Sequence, residues 1–141
     1  SNLLSYTPLE YKKKVTIPTK KKSVTYYLID NTGGVSVSIV GPTKLVIFCR
    51  ENFDQNMKGS YKFTLEVVEE GTTVAQYSEV GTMALNLAYK EMTELIPSDL
   101  HKFVLNVPSG KHKYLFKELN SAAPNLAIRF KIDKNGVGKK L

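Results

Sequence analysis

The sequence predicts a mainly β protein, an antiparallel β-sandwich of about eight strands, and three observations carry that expectation. Apolar and polar residues alternate at a period of two in short stretches, as where Val35, Val37 and Ile39 are separated by Ser36 and Ser38. Turn signals built from Gly, Asn, Asp and Pro recur at intervals of about ten residues. The 141 residues are 42% apolar and 23% charged, which suits a single folded domain with a real core and argues against disorder. The expected division is a basic extended lead-in over 1–22, a β-sandwich domain over 23–133 and a flexible basic tail over 134–141.

Along the chain, Pro8 and Pro18 interrupt the lead-in, which leaves room for a short edge strand at Val15, Thr16 and Ile17. Residues 24–29 are β-formers, Asp30-Asn31-Thr32-Gly33-Gly34 is a turn, and residues 35–40 return as the second arm of a predicted hairpin. Gly41-Pro42 breaks that arm. The run Leu45-Val46-Ile47-Phe48-Cys49 then reads as a central strand buried on both faces, and Glu51 to Lys58 as a polar loop closed by Gly59. Tyr61, Phe63, Leu65 and Val67 alternate with Lys62, Thr64 and Glu66, and Glu69-Glu70-Gly71 turns the chain back into residues 72–77.

Residues 82–96 satisfy two periods. Leu85, Ala88, Met92, Leu95 and Ile96 follow helical spacing, whereas Met83, Leu85, Leu87 and Tyr89 follow strand spacing. The richness in Ala, Leu, Lys, Glu and Met favours one short helix over 83–96, ended by Pro97. Residues 101–107 and 112–119 form a second predicted hairpin around Pro108-Ser109-Gly110-Lys111, with Leu105 facing Tyr114 and Phe103 facing Phe116. Residues 127–132 make the last strand. No internal repeat or second domain is evident.

The formal charge of +7 raises the question of a polyanionic partner, and its location answers part of it. Lys12, Lys13, Lys14, Lys20, Lys21 and Lys22 stand against Glu10 alone in the first 22 residues, and Lys139 and Lys140 lie at the other end. Residues 23–138 hold 12 bases and 12 acids, so the body is formally neutral. With 18 lysines and two arginines, solvated charge is favoured over bidentate recognition, and a sequence-specific nucleic-acid role is not expected. The absence of a long apolar run predicts no transmembrane segment.

The residues that could do chemistry do not converge. Cys49 sits in an apolar run, where a thiol behaves as a small hydrophobe, and as a lone cysteine it excludes an internal disulfide. His101 and His112 fall too far apart in the predicted hairpin to share a metal or a proton. Glu51, Asp54, Glu69 and Glu70 occupy a loop and a turn, where acids are ordinarily solvated. Phosphate-loop, dinucleotide-binding and nucleophile-elbow motifs are missing. The expectation is therefore a non-enzymatic protein with no cofactor, no metal site and no catalytic residues. Tyr26, Tyr27 and Tyr61 are the candidate contact residues, because of two adjacent strand residues one must face away from the core, and an exposed tyrosine anchors a protein or stacks on a sugar. The six lysines of the lead-in are the electrostatic candidates.

Three segments together resemble secreted bacterial β-sandwich modules of immunoglobulin-like or carbohydrate-binding-like type: Gly41-Pro42-Thr43-Lys44-Leu45-Val46-Ile47, Tyr61 to Val67 with Glu70-Gly71, and Val107-Pro108-Ser109-Gly110-Lys111-His112-Lys113-Tyr114. The resemblance covers about half the chain and rests on turn and strand signals, so it implies a periplasmic or extracellular location and transfers no site residue. It also adds weight to a strand at 83–89 against the helix that propensity favours, and leaves the two alternatives open. Three functions follow as expectations: an interaction module of an exported envelope protein that binds a protein partner through a sheet face or edge; a carbohydrate-binding module using exposed tyrosines; and electrostatic attachment of the lysine-rich ends to an anionic polymer or membrane.

Overall fold

Alternating apolar residues demand a sheet with one buried face, and the computed structural model, which describes residues 2–133, shows how that face is closed. Nine strands follow in chain order: β1 (Leu3–Tyr6), β2 (Lys14–Pro18), β3 (Ser23–Ile29), β4 (Val35–Asp54), β5 (Ser60–Glu69), β6 (Thr72–Thr82), β7 (Leu95–Pro97), β8 (His101–Glu118) and β9 (Asn125–Asp133). They form one antiparallel sheet in the order β2-β3-β9-β4-β8-β5-β6, with β1 added to β9 and β7 to β4. The all-β antiparallel class is as expected. The sheet is continuous and curls around its core as a half-barrel, so the two separate layers of a sandwich are not seen. The expected tail over 134–141 lies outside the described residues.

The curl comes from two long strands that bend together. β4 and β8 pair from Val35↔Phe116 to Cys49↔His101, with a register shift between Gly41 and Thr43. Gly41-Pro42 therefore bends a strand without ending it, and residues 108–111 are a corner within β8 where a hairpin loop is expected. The pairings Leu105–Tyr114 and Phe103–Phe116 do not form: Leu105 faces Leu45, and Phe116 faces Val35. Gly110 takes the left-handed conformation at the corner, and His112 braces it, with Nδ1 2.6 Å from Glu69 Oε2 and Nε2 3.1 Å from the Pro108 and Ser109 carbonyl oxygens.

The predicted hairpin over 24–40 is also corrected. Its turn exists, with Thr32 N donating to Asp30 Oδ1, but the two arms part. β3 pairs with β9, at Tyr27↔Ile128, and β9 pairs with the far half of β4 beyond the bend, at Cys49↔Ile128, while residues 35–40 pair with β8; Leu126 and Ile128 thereby lie in the core. By contrast, β5 and β6 pair as the hairpin that their alternation predicts. Leu45 to Cys49 is central, bonded to β8 on one side and β9 on the other.

The helix over 83–96 is absent, and so is a strand at 83–89. Residues 84–94 form an irregular strap that buries Tyr89 and Met92 in a second apolar cluster with Val15, Ile17, Tyr26 and Ala127 on the other side of the sheet. Its backbone is engaged by a strand edge: Lys90 N donates to Thr16 O, and Thr16 N donates to Glu91 Oε1 at 2.7 Å. These tertiary bonds replace the bonds of a helix, and so override propensity. They also cover the outer edge of β2. Among the described residues no strand lies against the outer edge of β6, and Val74 and Val80 stay 45% and 54% exposed.

The corner has no room for a side chain. A Cβ on Gly41 would collide with the Pro108 carbonyl oxygen and lie 2.7 Å from that of Val107. Gly41→Ala should therefore destabilise the protein by about 1–3 kcal/mol in chemical denaturation, by forcing backbone apart. An unchanged midpoint would contradict the close approach.

Candidate functional site

The exchange of partners along β9 creates a cleft. β3 pairs with β9 only as far as Tyr27↔Ile128, while its first residues pair with β2 on the opposite side. β1 takes up the same edge of β9 from Tyr6↔Phe130 onward. Where β3 diverges and β1 begins, a space of about 340 Å³ remains, with Arg129, Phe130 and Lys131 of β9 along it. Lys22 and Ser23 line it from the start of β3, and Ser5 and Thr7 from β1.

The cleft is cationic. Lys22, Arg129 and Lys131 line it, and among the described residues no carboxylate does. Among the described residues the ion pairs are His112–Glu69 and Lys113–Glu10, so these three cations are uncompensated there. Burial, then Arg129 and Lys22 nearby, hold the Lys131 ammonium below its ordinary pKa. Arg129 lies over Phe48 at 4.6 Å and over Tyr26 at 5.6 Å, and its buried Nε lacks a hydrogen-bond partner. Cation–π attraction substitutes for an acid in holding it.

Register extends this charge across the sheet. Residues opposite one another share a face, so Phe48 lies between Arg129 on β9 and Lys102 on β8, and Val46 lies between Lys131 and Val104. The outcome is a band of cations around apolar side chains, turned away from the main core.

The residues singled out by sequence are distributed unevenly. Tyr26 is 2% exposed, within the second cluster, and its hydroxyl accepts a hydrogen bond from Arg50 Nε at 3.0 Å. Tyr27 is half-buried, packs on Tyr11 at 4.6 Å between ring centroids, and lines the cleft. Tyr61 is half-buried elsewhere, against Phe53. Lys12 Nζ donates to the Thr32 carbonyl and hydroxyl oxygens, and Lys13, Lys14, Lys20 and Lys21 are exposed. Only Lys22 and Tyr27 of these candidates meet at the cleft. Arg129 and Lys131 were missed. Their signal is the Arg-x-Lys alternation of the last strand, where both cations fall on one face opposite Phe130.

Groups suited to acid, base or nucleophilic chemistry stay apart from the cleft. The Cys49 thiol is fully buried and held well above its ordinary pKa by burial and by Glu51. Among the described residues, no group of three or more His, Cys, Asp or Glu side chains could hold a metal ion. Glu51 faces inward beside Gly81, is 0% exposed, and has no hydrogen-bond partner on either carboxyl oxygen.

No protein-family model matches the chain, and no curated protein does. Among solved structures, an acetyl xylan esterase (Est2A) from the rumen bacterium Butyrivibrio proteoclasticus is similar at a TM-score of 0.48 and 15% identity, over 100% of this chain and 34% of that one. The chain thus spans about a third of that protein's length, and a likeness of this size bears on neither activity nor site.

Glu51 supplies a test of the interior. Burial, reinforced by Glu118, pushes its carboxyl up to about 7, and burial with Asp30 pushes Glu118 to about 7. Both folded values exceed the unfolded one, so between roughly pH 4.5 and 7 the folded chain keeps protons that the unfolded chain releases, and stability falls as pH rises through that window. Glu51→Gln should reduce the loss between pH 5 and 8 by roughly 2–3 kcal/mol in urea titrations. An unaltered pH slope would place the carboxylate in water.

Proposed function

We propose that the chain is a non-enzymatic binding module that docks an anionic polymer on the outward face of β8, β4 and β9. The observation that carries this reading is the gathering of Lys22, Arg129 and Lys131 at one cleft without a carboxylate among its lining residues. Cations placed together without compensation repel one another, and an anionic ligand removes that cost on binding. The lysines of the lead-in extend the attraction at longer range and make it salt-dependent. Val46 and Phe48 give the band an apolar floor, which suits a polymer with a hydrocarbon or sugar backbone between its charges. The fully buried Cys49, and a cleft lining among the described residues that does not include Glu51, support binding over catalysis.

A second reading, capture of a protein partner by strand addition, is supported by the open edge of β6 with its exposed Val74 and Val80.

The deciding experiment titrates the full chain with polyphosphate and with a polyuronate at about 50 and about 200 mM salt. Binding should weaken steeply with salt. Arg129→Gln combined with Lys131→Gln should lower the salt slope by roughly two, one per cation, and Lys20→Gln combined with Lys21→Gln should weaken binding less. Equal effects of the two pairs would transfer the role to diffuse tail charge, and no binding to either polymer would reject the reading.

A further inference from the structure

We infer that His112 and Glu69 form a proton-operated latch, which fastens the tip of the β5–β6 hairpin to the corner of β8 while the ring is charged and releases it when the proton leaves. The partners of the ring set this requirement. Nδ1 lies 2.6 Å from Glu69 Oε2, and Nε2 lies 3.1 Å from the carbonyl oxygens of both Pro108 and Ser109. A carbonyl oxygen only accepts, and so does a carboxylate, whereas a neutral imidazole carries one N–H and one lone pair. Either neutral tautomer therefore turns a lone pair onto an oxygen. With the proton on Nε2 the clash is with Glu69, and with the proton on Nδ1 it is with the two carbonyls. The imidazolium satisfies all three oxygens at once.

The surroundings favour that charge. On the hairpin side the ring meets Glu69, and Glu70, the next residue of the turn, is exposed. On its own strand Tyr114 stacks on it, with ring centroids 5.6 Å apart and planes 3° from parallel, and Ile39 of β4 lies opposite. Lys111 and Lys113, its neighbours in β8, alternate to the other face, where Lys113 pairs with Glu10 at 3.0 Å. The side chains of His112 and Glu69 are 15% and 24% exposed, so water screens their bond only in part. That bond, opposed by a smaller cost of burial, holds the ring above the ordinary histidine pKa.

The latch stands where the backbone bonds stop. The β5–β8 ladder ends at Val68↔Leu115, and beyond it the contact of Glu69 with His112 takes over. The segments it joins are turns, Glu70-Gly71 and Pro108-Ser109-Gly110, and all five residues are exposed. Their separation gives up little apolar packing, which is the condition for a local opening well below global unfolding. A folded pKa above the unfolded one of about 6.5 means that the latch contributes fully below about pH 6.5 and is lost as pH rises through the folded value.

The test follows ring and backbone of the full chain by NMR from about pH 5 to about pH 9. His112 should titrate above about 6.5, and His101, which burial lowers, should titrate below it. The backbone signals of Glu70, Gly71, Ser109 and Gly110 should move with the midpoint of His112, and the exchange protection of the His112 amide should fall by about tenfold or more above it. Glu69→Gln keeps an acceptor oxygen and loses the charge, so it should shift the midpoint down toward about 6.5 and carry the backbone change with it. His112→Gln should leave both turns released at every pH; if that variant does not fold, the Glu69→Gln comparison decides. A ring that titrates at or below about 6.5, or one that titrates while both turns stay unchanged, would overturn the latch. So would a midpoint that Glu69→Gln leaves in place.

Discussion

The fold depends on the close approach of two backbones at the Gly41 corner. β4 and β8 are bonded to each other on both sides of that corner, so neither can bend alone. Their shared bend carries Val35, Val37 and Ile39 around to face Leu45 and Ile47 across one core, and a single sheet thereby encloses its own apolar face. The constraint is steric first: only a residue without Cβ permits the approach to the Pro108 carbonyl. The His112–Glu69 contact then ties the corner of β8 to the end of β5.

The cleft depends on the opposite side of the same sheet. Arg129 is held over Phe48 and Tyr26. Tyr26 is fixed in turn by an edge-on contact with Tyr89 of the strap, and by Arg50, whose Nη1 donates to the Ser98 carbonyl at 2.7 Å. The strap therefore positions the guanidinium through aromatic intermediaries without touching the cleft. This makes the outer cluster more than a cover for the sheet: its packing decides where a positive charge stands.

Local chemistry was legible where partner and sequence neighbour coincide. The β5–β6 hairpin follows from its period of two, and the central strand Leu45–Cys49 from its unbroken apolar run. The two hairpins that failed have good turn sequences, but a turn fixes only a reversal: β9 binds β3 from about 100 residues away and β4 from about 80, and residues 101–116 pair along β4 instead of with each other. In the strap, Met92 of the helically spaced set and Tyr89 of the strand-spaced set reach one apolar cluster, and the residues between them, Lys90 and Glu91, are bonded to Thr16. The site was legible in part for the same reason. Tyr27 lies on a strand whose character is evident and Lys22 in the lysine-rich lead-in just before it, whereas Arg129 and Lys131 acquire meaning only through an exchange of strand partners that no local pattern encodes.

The placement of β9 also governs the order of assembly. The last strand of the described chain lies in the middle of the sheet, between β3 and β4, and it carries β1 as well. During synthesis the earlier strands emerge with their principal neighbour still missing, so hairpin β5–β6 and the β2–β3 pair can form early while the sheet as a whole waits. Such non-local pairing makes for slow folding, on the order of milliseconds to seconds, and in that interval the edges that β9 will occupy are open to wrong partners. The native sheet is in this sense closed from its centre, by the last of its described strands.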